Sequence, residues 1–102
     1  MGLSDFQIYY DRQGRPVSRE EGIRLMESDE RQVACDDIGD ATVSTVHLVI
    51  NHQFDPTKPP LIFETMIFGG PYSDYQWRYP TVEAALAGHD RVMAALRDNE
   101  EP

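Results

Sequence analysis

The chain has one cysteine, Cys35, in 102 residues. No intrachain disulfide can form and no cysteine-based zinc site can be assembled, so a reducing cytoplasm is the expected setting. Basic residues are also scarce: 9 Lys and Arg face 18 Asp and Glu, for a net charge of -9. Such a field repels phosphate backbones and anionic lipid, so neither nucleic acid nor a membrane is expected as a partner. No apolar run approaches the ~18 residues of a membrane span. The N-terminus lacks a basic stretch followed by an apolar one, and no signal peptide is expected. Phe6 stands where an N-myristoylation signal wants Ser or Thr. There is no internal repeat, no interdomain linker and no Gly-rich phosphate loop. Gly69-Gly70-Pro71 follows an apolar run but opens no helix, which the phosphate-binding context requires.

The acidic excess is spread along the chain. Residues 1–30 carry 7 acids and 4 bases, 31–60 carry 4 and 2, and 61–102 carry 7 and 3. A distributed excess reads as a solubilising surface. The sharper alternative is a nucleic-acid mimic that occupies a basic groove. Hydrophobic residues make up 40% of the chain, enough for one modest core and against disorder. One domain over 1–98 is expected, with 99–102 a frayed tail.

The most informative stretch is Pro59–Leu96. Leu61-Ile62-Phe63-Glu64-Thr65-Met66-Ile67-Phe68 is an apolar run with a carboxylate at its middle, which suits a central, covered strand. Gly69-Gly70-Pro71 ends it. Tyr75–Tyr79 pairs back as a short aromatic strand. Thr81 then caps a helix whose stripe is Val82, Ala85, Leu86, His89, Met93 and Leu96, with Leu86 expected in the core. Upstream, Asp5–Tyr10 reads as a strand and residues 11–16 as a turn. Ser18 and Glu21 stand at capping-box spacing before a short helix over about Arg19–Ser28. Arg31–Asp36 and Ala41–Ile50 flank a Gly-containing turn as a hairpin. In the second of these strands Val43, Thr45, His47 and Val49 share one face. The order β-α-β-β-β-β-α gives an α+β class: a mostly antiparallel sheet of four to five strands with two helices on one face.

Six features are candidates for chemistry. His47, His52 and Glu64 could bind zinc with one open position if strands 41–50 and 61–68 are neighbours. Against that, a strand histidine is more often half-buried and hydrogen-bonded. Glu64 alone could be a general acid or base with a raised pKa, or simply paired with a neighbouring Arg or His. Asp36, Asp37 and Asp40 surround a turn but lack the order of a calcium loop, so a plain hairpin is the better reading. Cys35 reads as a small buried hydrophobe, and His89 as a residue capping the core edge rather than a catalytic base. The sixth feature is Tyr72, Tyr75 and Trp77 on a mobile loop with glycines at its start. Aromatics there either recognise a partner or fill the gap between sheet and helix. Trp77 is the most structural of the three, since its strand leads into the last helix.

The α-β-β-β-α part of the order resembles the double-stranded-RNA-binding fold, but the last helix begins Thr81-Val82-Glu83-Ala84 where such domains need basic residues. RNA binding is rejected on charge. A second resemblance covers roughly residues 40–90. It rests on Ser44-Thr45-Val46-His47-Leu48, His52-Gln53-Phe54, Pro60–Gly70, Arg78-Tyr79-Pro80-Thr81 with Glu83-Ala84, and Gly88-His89. In these the chain is similar to a group of small uncharacterised proteins of actinobacteria and their bacteriophages. The Phe63-Glu64-Thr65-Met66-Ile67-Phe68-Gly69-Gly70 core is its most specific part. The resemblance implies a cytoplasmic accessory protein of bacterial or phage origin. The group has no known activity, so no catalytic residues carry over. The residues thus point to a small acidic protein–protein interaction module without cofactor, with Tyr72, Tyr75 and Trp77 as the contact surface and a host protein as partner. The alternative from another class is a small metal-assisted or acid–base enzyme using His47, His52 and Glu64.

Overall fold

The computed structural model describes residues 7–102. Two helices, α1 (Arg19–Met26) and α2 (Val82–Arg97), accompany four strands: β1 (Gln32–Ile38), β2 (Ala41–His47), β3 (Phe63–Phe68) and β4 (Gln76–Tyr79). The strands form one antiparallel sheet in the order β1-β2-β3-β4, a meander, so the architecture is α+β as expected. Among the described residues no helix is long and apolar enough to cross a membrane.

The expected first strand contributes only isolated bridges, Tyr9 to Ile50 and Tyr10 to Pro16, and its residues 5 and 6 lie outside the described part. The 41–50 strand stops at His47, because the next residues leave the pleat. Val49 has φ of 71°, a rare geometry for a β-branched side chain. Its carbonyl then accepts from the Tyr10 amide at 2.9 Å. The Ser18 hydroxyl accepts from the Glu21 amide at 3.1 Å and opens α1. The Glu21 carboxylate does not complete the capping box; it turns to Arg24 instead. Thr81 caps α2 as expected, accepting from the Ala84 amide at 3.1 Å.

Register assigns each strand residue to a face. Val43 pairs with Ile67, Thr45 with Thr65 and His47 with Phe63, and all six are buried on the face that α2 covers. The other face carries Cys35, Ser44, Val46, Glu64, Met66, Gln76 and Arg78 and is not covered by α2. β3 is therefore central but sheltered on one face only. Glu64 lies on the open one, and Phe68 ends the strand exposed.

The core is stratified. One apolar cluster holds Ala41, Val43, Ile67 and Val92, with Trp77, Met93 and Leu96 packed on it. A second holds Ile62, Phe63 and Ala85, with Tyr79 and Val82 packed on it. The register places Thr45, Thr65 and His89 between the two. Leu86 is a correction: it is 43% exposed, and Gly88 and Val92 take the buried positions instead. The reason is the Tyr79 ring, which lies against Gly88 so closely that a Cβ there would overlap it. The helix is thus rotated to bring its glycine, not its leucine, against the sheet.

Residues 99–102, expected to fray, are held at two points. The Glu100 amide donates to the Ala95 carbonyl at 2.8 Å, and Glu101 Oε2 accepts from the Tyr75 hydroxyl at 3.0 Å.

Candidate functional site

The three aromatics form one contiguous group. Tyr72 and Tyr75 meet edge to face with centroids 5.5 Å apart, and Tyr75 and Trp77 follow at 6.1 Å. Their exposure is graded. Trp77 lies on the covered face against the core, Tyr72 is half-buried on the same cluster, and Tyr75 is the most exposed of the three. The Tyr75 phenol is pushed to higher pKa, chiefly by its hydrogen bond to the Glu101 carboxylate.

The loop that carries them is tied at several points. Gly69 and Gly70 take φ of 86° and 75°, and Asp74 takes 77°. The Asp74 amide donates to the Ile67 carbonyl at 2.8 Å, the Ile67 amide to the Tyr75 carbonyl at 3.0 Å, and the Gly69 amide to the Ser73 hydroxyl at 3.0 Å. A cleft of about 560 Å³ lies on one side of the aromatics, lined by Ile38, Ala41, Tyr72, Leu96 and Arg97 among others. A smaller one of about 240 Å³ lies on the other, lined by Trp77, Tyr79, Gly88 and Arg91 among others.

The zinc trio is not assembled. Cross-strand pairing joins Glu64 to Val46 and His47 to Phe63, so His47 and Glu64 stand on opposite faces of the sheet. Glu64 forms a cross-strand ion pair with Arg78 at 3.1 Å. His52 sits in the loop after β2, where its amide donates to the Leu61 carbonyl at 2.9 Å. Among the described residues no group of three or more His, Cys, Asp or Glu converges. Asp36, Asp37 and Asp40 diverge: Asp36 accepts from His89 Nε2, while Asp37 accepts from the Thr42 hydroxyl at 2.7 Å. Cys35 is a correction, being exposed on the open face instead of buried. The Cys35–Ser44 pairing gives it that face, on an edge strand.

His89 is a further correction. It is not a partly exposed boundary residue: it is 2% exposed and links the core interior to Asp36 on the edge strand β1. Its Nδ1 is 2.8 Å from Thr45 Oγ1, which is 2.6 Å from Thr65 Oγ1, and its Nε2 is 2.8 Å from Asp36 Oδ2. The Tyr79 hydroxyl sits near Thr65 and Arg91; both lower its pKa, but burial outweighs them and raises it. A carboxylate, an imidazole and a hydroxyl in series is the arrangement that activates an oxygen nucleophile. Here Thr45 has no exposed surface, so no substrate reaches it, and the series works as internal satisfaction of buried polar groups. One signal in the sequence pointed to this layer: Thr45 alternates with Val43 on an inward face, and His89 lies on the helix stripe. What joins them to Asp36 is tertiary.

His47 is buried too, at 3% exposure, with its ring stacked on Phe63 at 5.1 Å between centroids. Burial is the chief cause that lowers its pKa. Arg12 and Arg31 add to this, while a hydrogen bond to the Tyr10 backbone and the Asp11 carboxylate oppose it.

Compared with protein-family models, curated proteins and solved structures, the chain finds no match.

Proposed function

We propose that this protein is a small acidic protein–protein interaction module whose contact surface centres on Tyr72, Tyr75 and Trp77. The observation that carries the reading is the graded aromatic group itself, anchored in the core at Trp77 and open to solvent at Tyr75. Aromatic side chains supply contact area at low entropy cost, and a tied loop has little left to lose on binding. Asp40, Asp74, Glu100 and Glu101 lie near this surface in sequence or by contact, in a chain of net charge -9. The partner that fits is a protein presenting an apolar segment flanked by Lys or Arg, whose charge steers the approach. The resemblance read from the sequence over residues 40–90 implies an accessory role, a phage factor acting on a host protein being the form it suggests.

The test pairs capture with stability on the same variants. Tyr75→Ala should weaken partner capture by about 1–2 kcal/mol or more while leaving chemical denaturation nearly unchanged. Tyr72→Ala should lower both, because Tyr72 also packs on the core. Capture unchanged in Tyr75→Ala would remove the reading.

A further inference from the structure

Phe54 is 93% exposed, far more than any other large apolar side chain among the described residues. Single exposed apolar side chains are ordinary on protein surfaces. Two observations set this one apart. The first is the loop beneath it, which is fixed on both sides of the ring. Asn51 Oδ1 accepts from the Gln53 amide at 2.7 Å and from the Leu61 amide at 2.9 Å. Gln53 Oε1 accepts from the Asp55 amide at 3.1 Å. Asp55 Oδ1 accepts from the Thr57 amide at 2.9 Å and from its hydroxyl at 2.7 Å. These bonds lie within residues 51–61, so the loop is held by itself and holds Phe54 out into water. A ring carried on such a loop loses little freedom on binding.

The second observation is a cavity of about 440 Å³ whose apolar walls include Tyr10, Pro59, Pro60 and Pro80. Its charged lining residues are one base, Arg12, and one acid, Glu83. Among the described residues neither is in an ion pair. Phe54 does not line this cavity, although Pro59 and Pro60 of its own loop do.

We propose that the protein forms a two-fold symmetric dimer in which Phe54 of each copy seats in the cavity of the other. Ring and cavity belong to one corner of the molecule, since Gln53 Nε2 donates to the Pro59 carbonyl at 3.3 Å. A two-fold axis beside that corner makes both insertions at once, and an interface of that kind closes at two copies. The charges match as well. Asp55 and Lys58 follow Phe54 and approach each other only to 4.0 Å, which leaves them available to Arg12 and Glu83 of the second copy. One acid and one base on each side, paired crosswise, fix the orientation of the contact.

Size sets the strength. A buried phenylalanine ring contributes ~150–250 Å². Two rings and the walls they touch stay at or below the ~1,200 Å² where stable interfaces begin. A net charge of -9 on each copy also opposes approach until salt screens it. The dimer is therefore weak and reversible, with a Kd of about 10–500 μM. The contact lies before β3 in the chain, and Tyr72, Tyr75 and Trp77 follow that strand at its other end. The dimer leaves both aromatic groups uncovered and is independent of the interaction surface proposed above. Two such surfaces on one dimer would engage a repeated partner at two points.

The test is sedimentation equilibrium of the intact chain from about 10 to about 500 μM in about 150 mM sodium chloride. The parent should move from the mass of one copy toward that of two and stop there. Phe54→Ser should weaken association at least about ten-fold. Its thermal midpoint at low concentration should match the parent's, because the ring is almost wholly exposed in the single copy. Lys58→Glu and Glu83→Lys should each weaken association, and the two together should restore it. General stickiness of an exposed ring would produce no such recovery. A parent that stays monomeric at the highest concentration would overturn the dimer and leave Phe54 to a different protein. So would Phe54→Ser associating like the parent, a mass that grows past two copies, or a double charge reversal no better than the single ones.

Discussion

His89 and Thr45 are 44 residues apart and share a hydrogen bond of 2.8 Å in the middle of the core. The bond fixes α2 on the sheet along its length, because Thr45 in turn meets Thr65 and His89 reaches Asp36. A helix held only by apolar contacts could slide by a fraction of a turn at small cost. A hydrogen-bonded layer cannot, since slippage would leave buried polar atoms bare.

His89→Ala should therefore destabilise by about 3–5 kcal/mol, combining a cavity with unsatisfied threonine hydroxyls. Thr45→Val keeps the shape but strips His89 Nδ1 and Thr65 of their shared partner, at about 1–3 kcal/mol. Adding Thr65→Val to it should cost less than the sum of the two single changes. A double-mutant cycle by chemical denaturation measures this; strict additivity would show that the hydroxyls do not interact.

Gly88→Ala should destabilise although alanine favours helix by about 1 kcal/mol. The new Cβ would lie 2.7 Å from Tyr79 Cε1, with Cζ and the hydroxyl oxygen closer still, and the helix would have to lift from the sheet. Combining it with Tyr79→Ala should recover part of the loss. Thermal melts of the two variants and the pair decide it; an unchanged or raised Tm for Gly88→Ala contradicts the packing.

Leu86→Ala should change stability by no more than about 0.5 kcal/mol, as for other exposed positions. Ile67→Ala, at a site with no exposed surface, should cost about 2–5 kcal/mol. Reversal of that order in urea denaturation would return α2 to the orientation its sequence stripe suggests.

His47 makes stability depend on pH. Its folded pKa lies below the ordinary 6.5, so the unfolded chain binds the proton more readily. The contribution is full above about pH 6.5 and is lost as the pH falls from there toward the folded pKa. His47→Gln should flatten this acid slope when denaturation midpoints are compared between about pH 7.5 and 5.5. Parallel slopes for the two proteins would mean that another group titrates in that window.

Much of the fold was readable from local patterns. Alternation put Val43, Thr45 and His47 on one shared face of β2, and Thr81 marked the start of α2, because both depend on neighbours within a few residues. Leu86 and Cys35 misled for one reason: hydrophobic character says that a residue favours burial, not which face the tertiary partner covers. The helix turned on its axis to seat Gly88 under Tyr79, and no spacing rule ranks a glycine above a leucine. The layer of Thr45, Thr65 and His89 was hidden because each of its bonds crosses between elements. The Tyr72–Tyr75–Trp77 group was visible as composition, while its graded burial required the loop geometry.

Gly69, with φ of 86°, is one of the residues that shape the aromatic loop. A side chain there would also run into the backbone carbonyl of Asp40, in the turn between β1 and β2. Two turns nearly thirty residues apart are therefore in backbone contact. Neither can be lengthened, shortened or given a bulkier residue at that point without moving the other. In any lineage carrying this fold, the two turns should drift as a single unit. For grafting a foreign peptide onto the scaffold, the 51–60 loop is the freer position, and the pair of turns is the part to leave intact.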